Sequence, residues 1–265
     1  MRRFDKLSHA ALALLLPAAA LLLTSAMPLD EYLAISEPLY AAANAEAPHL
    51  TEAKVSHTLM PITADNPELE WLRVVTPDGR EAQMVLTCVL LNHKKLDMWA
   101  PTDTFRLPKE SGVWVTLPAD WRRRADQFAG LDSIEAQRRM VEILGLPPGS
   151  GYDTVVEVYL DTAGVFRPAH DPTISTATAG IEFPAWADSD YRIGVTNFRE
   201  WYAYNLVMAY EDESPCPWTQ LGYTYDWHPG APREGLSEYI GSYGTLARVK
   251  TRQSAWDFIR HITAR

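Results

Sequence analysis

Three residues around one turn are of the types that move protons. Asp226 and His228 lie two positions apart, Glu238 follows ten residues later, and Arg233 falls between them. Two carboxylates and an imidazole supply acid and base if the turn folds them together. The same carboxylates could instead hold backbone amides in a hydrogen-bonded turn. A second polar group is Arg167, His170 and Asp171. Arg167 could clamp an anionic ligand through its guanidinium fork, or simply pair with Asp171. The rings between Trp218 and Trp227 could stack on a ligand such as a sugar, or fill a core.

Stronger catalytic patterns are missing. There is no Gly-rich phosphate loop, no H-E-x-x-H, no C-x-x-C and no G-x-S-x-G. His57, His93, His170 and His228 show no ligand spacing, so neither a metal nor a cofactor is expected. Arg122, Arg123, Arg124, Arg138 and Arg139 read as a solvated helix face rather than an anion site. Two cysteines, Cys88 and Cys216, allow one intramolecular disulfide or two separate thiols.

The elements that must position these residues are legible in part. Residues 220–227 alternate, with Leu221, Tyr223, Tyr225 and Trp227 on one face and Gln220, Gly222, Thr224 and Asp226 on the other. This predicts a strand whose aromatic face packs on the helix before it, 197–210. That helix carries aromatic residues on nearly every side, so it is expected to be buried. Strands are predicted at 68–75 and 81–91 around a Thr76-Pro77-Asp78-Gly79 turn, at 113–117, at 153–161 and at 236–240. Residues 245–250 are expected to pair with that last strand as a hairpin. Trp121, Ala125 and Phe128 mark one helix. Asp132 and Glu135 form a capping box for the next, with Ile134, Met140, Val141 and Leu144 inward. Ser254 caps a final helix, and 162–195 forms an irregular loop. Strands and helices alternate irregularly, which predicts an α+β fold with a mainly antiparallel sheet and several packed helices.

Arg2, Arg3 and Lys6 precede an apolar run from Ala10 to Leu23 and a small-residue site at Thr24-Ser25-Ala26. This predicts a signal peptide at 1–26, hence a periplasmic or secreted protein that meets the membrane only through that segment if it stays uncleaved. A tether or short helix at 27–53 and a single α+β domain at 54–265 complete the expected organisation. The formal net charge of −10 argues against nucleic-acid binding, which needs a positive field.

Pro217-Trp218-Thr219-Gln220-Leu221-Gly222-Tyr223-Thr224-Tyr225-Asp226-Trp227 and Gly235-Leu236-Ser237-Glu238-Tyr239 resemble segments of a group of uncharacterised exported bacterial proteins. Shorter matches are Trp114-Val115-Thr116, Leu144-Gly145-Leu146-Pro147-Pro148, Phe166-Arg167-Pro168 and Glu182-Phe183-Pro184. The resemblance implies export and one continuous domain, with no activity attached. The function expected is therefore a non-enzymatic binding or interaction domain with an aromatic and polar cleft near 218–240. Its partner would be a small molecule, a glycan or a protein. The rival expectation is a hydrolase of cell-envelope or extracellular material using Glu238, Asp226 and His228.

Overall fold

The structure, a computed structural model, describes residues 27–264 except 77, 102, 109–111 and 212–213. The predicted signal segment lies outside the described residues. The fold is α+β, with five α-helices and a large sheet in which every pairing is antiparallel.

The hairpin β1 (Trp71–Val75) and β2 (Glu81–Leu91) forms where expected. Gly79, at φ +83°, donates its amide to the Thr76 carbonyl at 2.8 Å and closes the turn. β2 pairs along its length with β5 (Thr154–Asp161), and at Cys88 with Thr116 of β4 (Val113–Thr116). β4 pairs in turn with β10 (Glu234–Gly241). β10 is flanked on its other side by short β6 (Val165–Phe166) and β9 (Tyr223–Tyr225). β11 (Leu246–Ser254) pairs with β5 and with β3 (Phe105–Arg106). The hairpin expected between 236–240 and 245–250 is therefore absent: the chain turns after Gly241 and β11 crosses to the far edge of β5. β7 (Arg192–Ile193) and β8 (Thr196–Asn197) form a separate small hairpin.

One face of the sheet presents Val85, Val115, Val156, Val158, Leu160 and Tyr239 to a core completed by Met60, Ile62, Trp99 and Leu107. The other presents Cys88, Val155 and Leu236 to helices. These are α2 (Pro118–Arg123), α3 (Ser133–Ile143) and α5 (Ala255–Thr263), whose Trp121, Met140 and Phe258 fill the layer. α3 starts with the predicted capping box of Asp132 and Glu135. Ile134, expected to face inward, is half exposed instead, because the cap turns the first turn outward.

An eighteen-residue helix, α1 (Leu29–Glu46), precedes the sheet. It changes the account of the aromatic stretch, which packs on three partners rather than on helix α4 (Phe198–Tyr210) alone. Tyr225 and Trp227 pack with Tyr32 and Ala43 of α1, and the Tyr40 and Trp227 rings meet edge to face at 6.1 Å. Leu221 and Tyr223 join Leu59 and Ala169, and Trp218 joins the α4 cluster of Phe198 and Tyr202. The predicted long strand shrinks to three residues because Gln220 and Gly222 adopt φ +60° and +78°. At Gly222 a Cβ would fall 2.4 Å from Arg167 Cδ, so only glycine lets that arginine pass. α4 is not buried all round: Tyr204, Val207 and Met208 stay exposed, while Phe198 and Tyr202 face inward.

Candidate functional site

Strand register builds the site. Glu157 of β5 stands opposite Cys88 of β2, Cys88 opposite Thr116 of β4, and Thr116 opposite Glu238 of β10. Four polar side chains thus cross the helix-covered face in one row. Three are accommodated. Glu157 accepts hydrogen bonds from Thr251 Oγ1 at 2.7 Å and Gln253 Nε2 at 3.1 Å. Thr116 Oγ1 accepts from Trp121 Nε1 at 2.8 Å and lies 3.3 Å from Cys88 Sγ. Glu238 is different. It is 6 % exposed, and its Oε1 is buried without a hydrogen-bond partner. Desolvation alone pushes its carboxyl up to about 8.

Glu238 lines a cavity of about 340 Å³ at the point where helical cover of the sheet stops. The floor is sheet, with Leu90, Thr116 and Glu238. One wall is the end of α3, Leu144 to Leu146, and another is the chain at 216–218. Gly145, at φ +65°, ends α3 so close to β9 that a Cβ would lie 3.0 Å from the Tyr225 carbonyl. Trp114, Trp218, Tyr152 and Tyr225 supply aromatic surface. Trp114 is 39 % exposed and meets the Trp218 ring edge-on at 6.0 Å, so it forms part of the rim.

Both cysteines line this cavity and both are free. No disulfide joins them. Cys88 is held in the sheet beside Thr116, while Cys216 sits in the segment leading to Trp218. Burial pushes the Cys88 thiol up to about 12, with Glu157 adding to the effect. Cys216 is exposed as a residue, yet desolvation of its thiol, followed by the charge of Glu238, pushes it up to about 11. Neither thiol is an activated nucleophile.

Asp226 and His228 do not line the Glu238 cavity; they join α3. Arg139 donates Nη1 to Asp226 Oδ1 at 3.0 Å and Nη2 to Oδ2, and a second Nη2 bond reaches Gln127 Oε1 at 2.7 Å. His228 Nδ1 lies 2.6 Å from Glu142 Oε2, and Tyr32 donates its hydroxyl to Glu142 Oε1 at 3.3 Å. His228 borders a polar depression of about 580 Å³ with Gln127, Arg139 and Glu142. Arg139, read from sequence as part of a solvated face, is buried because the Asp226 carboxylate compensates it. Arg233 reaches Glu46 and lies over the Tyr225 ring.

Arg167 is fully buried, forms no ion pair with Asp171, and keeps its Nε without a hydrogen-bond partner. Its guanidinium donates to Thr176 Oγ1, the Thr176 carbonyl and the Thr178 carbonyl at 3.0, 2.8 and 3.2 Å. It therefore pins the irregular loop. His170 lies 3.1 Å from the Tyr202 hydroxyl through Nδ1, and its ring meets Phe183. Burial and then Arg199 hold its pKa below the usual imidazole value. Tyr202 continues the chain by donating to Gln220 Oε1 at 2.7 Å. Trp227 is fully buried and donates Nε1 to the Leu146 carbonyl at 3.0 Å, a core role.

The residues missed from sequence are Trp114, Thr116, Glu157 and the α3 pair Arg139 and Glu142. A period-two reading places Cys88 and Glu157 on definite strand faces, but it cannot say which strands are neighbours. No protein-family model matches the chain, and no characterised protein or solved structure is significantly similar to it. Among the described residues no group of three or more His, Cys, Asp or Glu could hold a metal, and no helix is long and apolar enough to cross a membrane.

Proposed function

We propose that this protein is an exported, non-enzymatic binding domain whose Glu238 cavity takes a small, largely apolar ligand bearing one polar group. The observation that carries the reading is the unpartnered Oε1 of Glu238 in an apolar, aromatic-walled cavity. A buried polar atom without a partner costs about 1–3 kcal/mol, and a ligand that bonds Oε1 would recover that cost. The volume falls at the lower end of small-molecule sites, roughly 300–1,000 Å³. The stretches that resemble exported bacterial proteins contribute Trp218, Thr224, Tyr225 and Glu238 to the lining, and export enters the proposal from the basic start and apolar run of residues 2–23.

One observation favours the rival hydrolase. A carboxyl raised to about 8 is poised to give up a proton near neutral pH. Hydrolysis also needs a group to activate water or attack the substrate. Asp226 and His228 are engaged elsewhere, and no second carboxylate or imidazole lines the cavity among the described residues. Binding without turnover accounts for the lining with fewer parts.

A thermal-shift and tryptophan-fluorescence screen of small apolar compounds on the full chain tests the proposal. Ligands should raise the melting temperature and alter emission, because Trp114 and Trp218 line the site. Cys216→Trp, which places a ring at the mouth without touching the sheet, should abolish both responses. Hits unaffected by Cys216→Trp would refute the site. So would a screen that yields no hits.

A further inference from the structure

We infer that the ligand of the Glu238 cavity is an organic cation, a protonated primary or secondary amine on an apolar body, with its N–H aimed at the Glu238 carboxylate. The inference rests on the binding reading above and narrows it to a chemical class. Three features of the lining decide between cationic, neutral and anionic ligands.

The first is the vacancy at Glu238. Its Oε1 accepts no hydrogen bond, and among the described residues no cationic side chain lines the cavity. The other titratable groups lining it are thiols and phenols, Cys88, Cys216, Tyr152 and Tyr225; Tyr210 of α4 and Tyr223 of β9 lie within electrostatic reach of Glu238. Asp120 of α2 accepts the Ser237 amide of β10 at 2.6 Å. Among the described residues the protein therefore supplies an acid and no counter-charge. Without a counter-charge the buried carboxyl keeps its proton, and an incoming ammonium lets it ionise by bringing both the opposite charge and a charge-assisted hydrogen bond.

The second is the aromatic wall. Trp114, Trp218, Tyr152 and Tyr225 line the cavity with aromatic surface, and the negative quadrupole of a ring face attracts a cation and gains nothing from an anion. Leu90, Leu144 and Leu146 add aliphatic lining, which suits the hydrocarbon part of the ligand. The third is the long-range field. A formal net charge of −10 draws cations to the rim and repels carboxylates and phosphates. A secondary or primary amine fits better than a quaternary one, because only an N–H can satisfy Oε1.

Binding then carries a proton signature. In the empty cavity the Glu238 carboxyl, raised to about 8, is mostly protonated at pH 7. An ammonium binds its ionised form, so the proton leaves for solvent, about one per site at pH 7. A neutral ligand releases none.

The test is calorimetric titration of the full chain with hexylamine and phenethylamine against hexan-1-ol, 2-phenylethanol and hexanoate. Each is measured at pH 7 in phosphate and in Tris, whose ionisation enthalpies differ. The expected result is that the amines bind about tenfold to a hundredfold more tightly than the alcohols, with hexanoate weakest. The apparent enthalpy for the amines should differ between the buffers by nearly one proton's worth. Glu238→Gln should erase both the preference and the proton release. Trp114→Leu should weaken the amines more than the alcohols. The wild-type buffer dependence needs no variant, so it decides the matter even if Glu238→Gln folds poorly. Alcohols binding as tightly as amines, or amines binding without proton release, would overturn the cation assignment and leave the cavity a binding site. If none of the probes binds, both readings fall together.

Discussion

Thr116 and Glu238 are register partners on adjacent strands, yet the Thr116 hydroxyl accepts from Trp121 Nε1 and stands beside Cys88 Sγ, and Glu238 Oε1 has no hydrogen-bond partner. A hydroxyl directly across the ladder is a natural donor to a carboxylate. Here the hydroxyl lies against Trp121 Nε1 and Cys88 Sγ instead, so the sheet presents a polar row that ends in an unsatisfied acid at the cavity.

That acid makes stability depend on pH in a direction opposite to the usual paired carboxylate. Unfolded, Glu238 titrates near its ordinary value of about 4.3; folded, it titrates at about 8. Between those values the native state holds a proton that the unfolded state has lost. Stability therefore falls as pH rises through that window and levels off above about 8. The loss amounts to a few kcal/mol. Urea denaturation at about pH 5, 7 and 9 should show Glu238→Gln nearly flat where the wild type declines, and more stable than wild type at the alkaline end. Parallel profiles for the two proteins would mean that the carboxyl is not desolvated.

The Arg139 and Asp226 pair predicts a different behaviour. Both side chains are buried, and the guanidinium grips both carboxylate oxygens. Asp226→Ala or Arg139→Ala should each cost about 3–5 kcal/mol, since each strands a buried charge. The double variant should lose less than the sum, as expected for contacting groups. Additive losses in denaturant titrations would show that the two charges act independently.

The sequence carried the local structure well and the assembly poorly. The β1–β2 hairpin, the Asp132 capping box, the Asn197 and Ser254 caps and the strand at 154–161 follow from turn chemistry and periodicity, which act over a few residues. The destination of β11 was illegible, because antiparallel pairing with β5 or with β10 leaves the same alternation in the chain. The same limit hid the site. Glu157, Cys88, Thr116 and Glu238 are far apart in sequence and meet only through strand order. Asp226, His228 and Glu238 are near in sequence, and a bulged β10 with α3 beneath it sends them to different places. Arg139 could not be told from its neighbours Arg122 to Arg124, since a buried ion pair is defined by the partner and not by the helix face.

The thiols give a kinetic readout of the cavity. Denatured, unreduced protein should yield two free thiols per chain, because Cys88 and Cys216 are not bonded. In the native state Cys216 should label first and slowly, with a rate that climbs toward alkaline pH as its thiol ionises. Cys88, buried in the sheet, should label only on unfolding. Above about pH 8, Glu238→Gln should speed Cys216 labelling, since it removes the negative charge that opposes thiolate formation. An unchanged rate would place Cys216 out of electrostatic reach of Glu238.

The last prediction separates the two kinds of tryptophan. Trp227 is fully buried, wedged against Tyr40 and bonded to the Leu146 carbonyl. Trp227→Ala should cost about 3–5 kcal/mol, because a large ring leaves a void that α1 and the end of α3 cannot close. Trp114 also sits on a strand, but 39 % of it is exposed and one flank of its ring forms the cavity rim. Trp114→Ala should cost far less, on the order of 1 kcal/mol or below, since the ring loses contacts only on its Trp201 and Trp218 side. Its effect should appear in ligand affinity instead. Thermal melts of the two variants, with and without a ligand of the cavity, check both halves. A Trp114→Ala protein that melts as early as Trp227→Ala would make Trp114 a core residue and take away the rim on which cation binding depends.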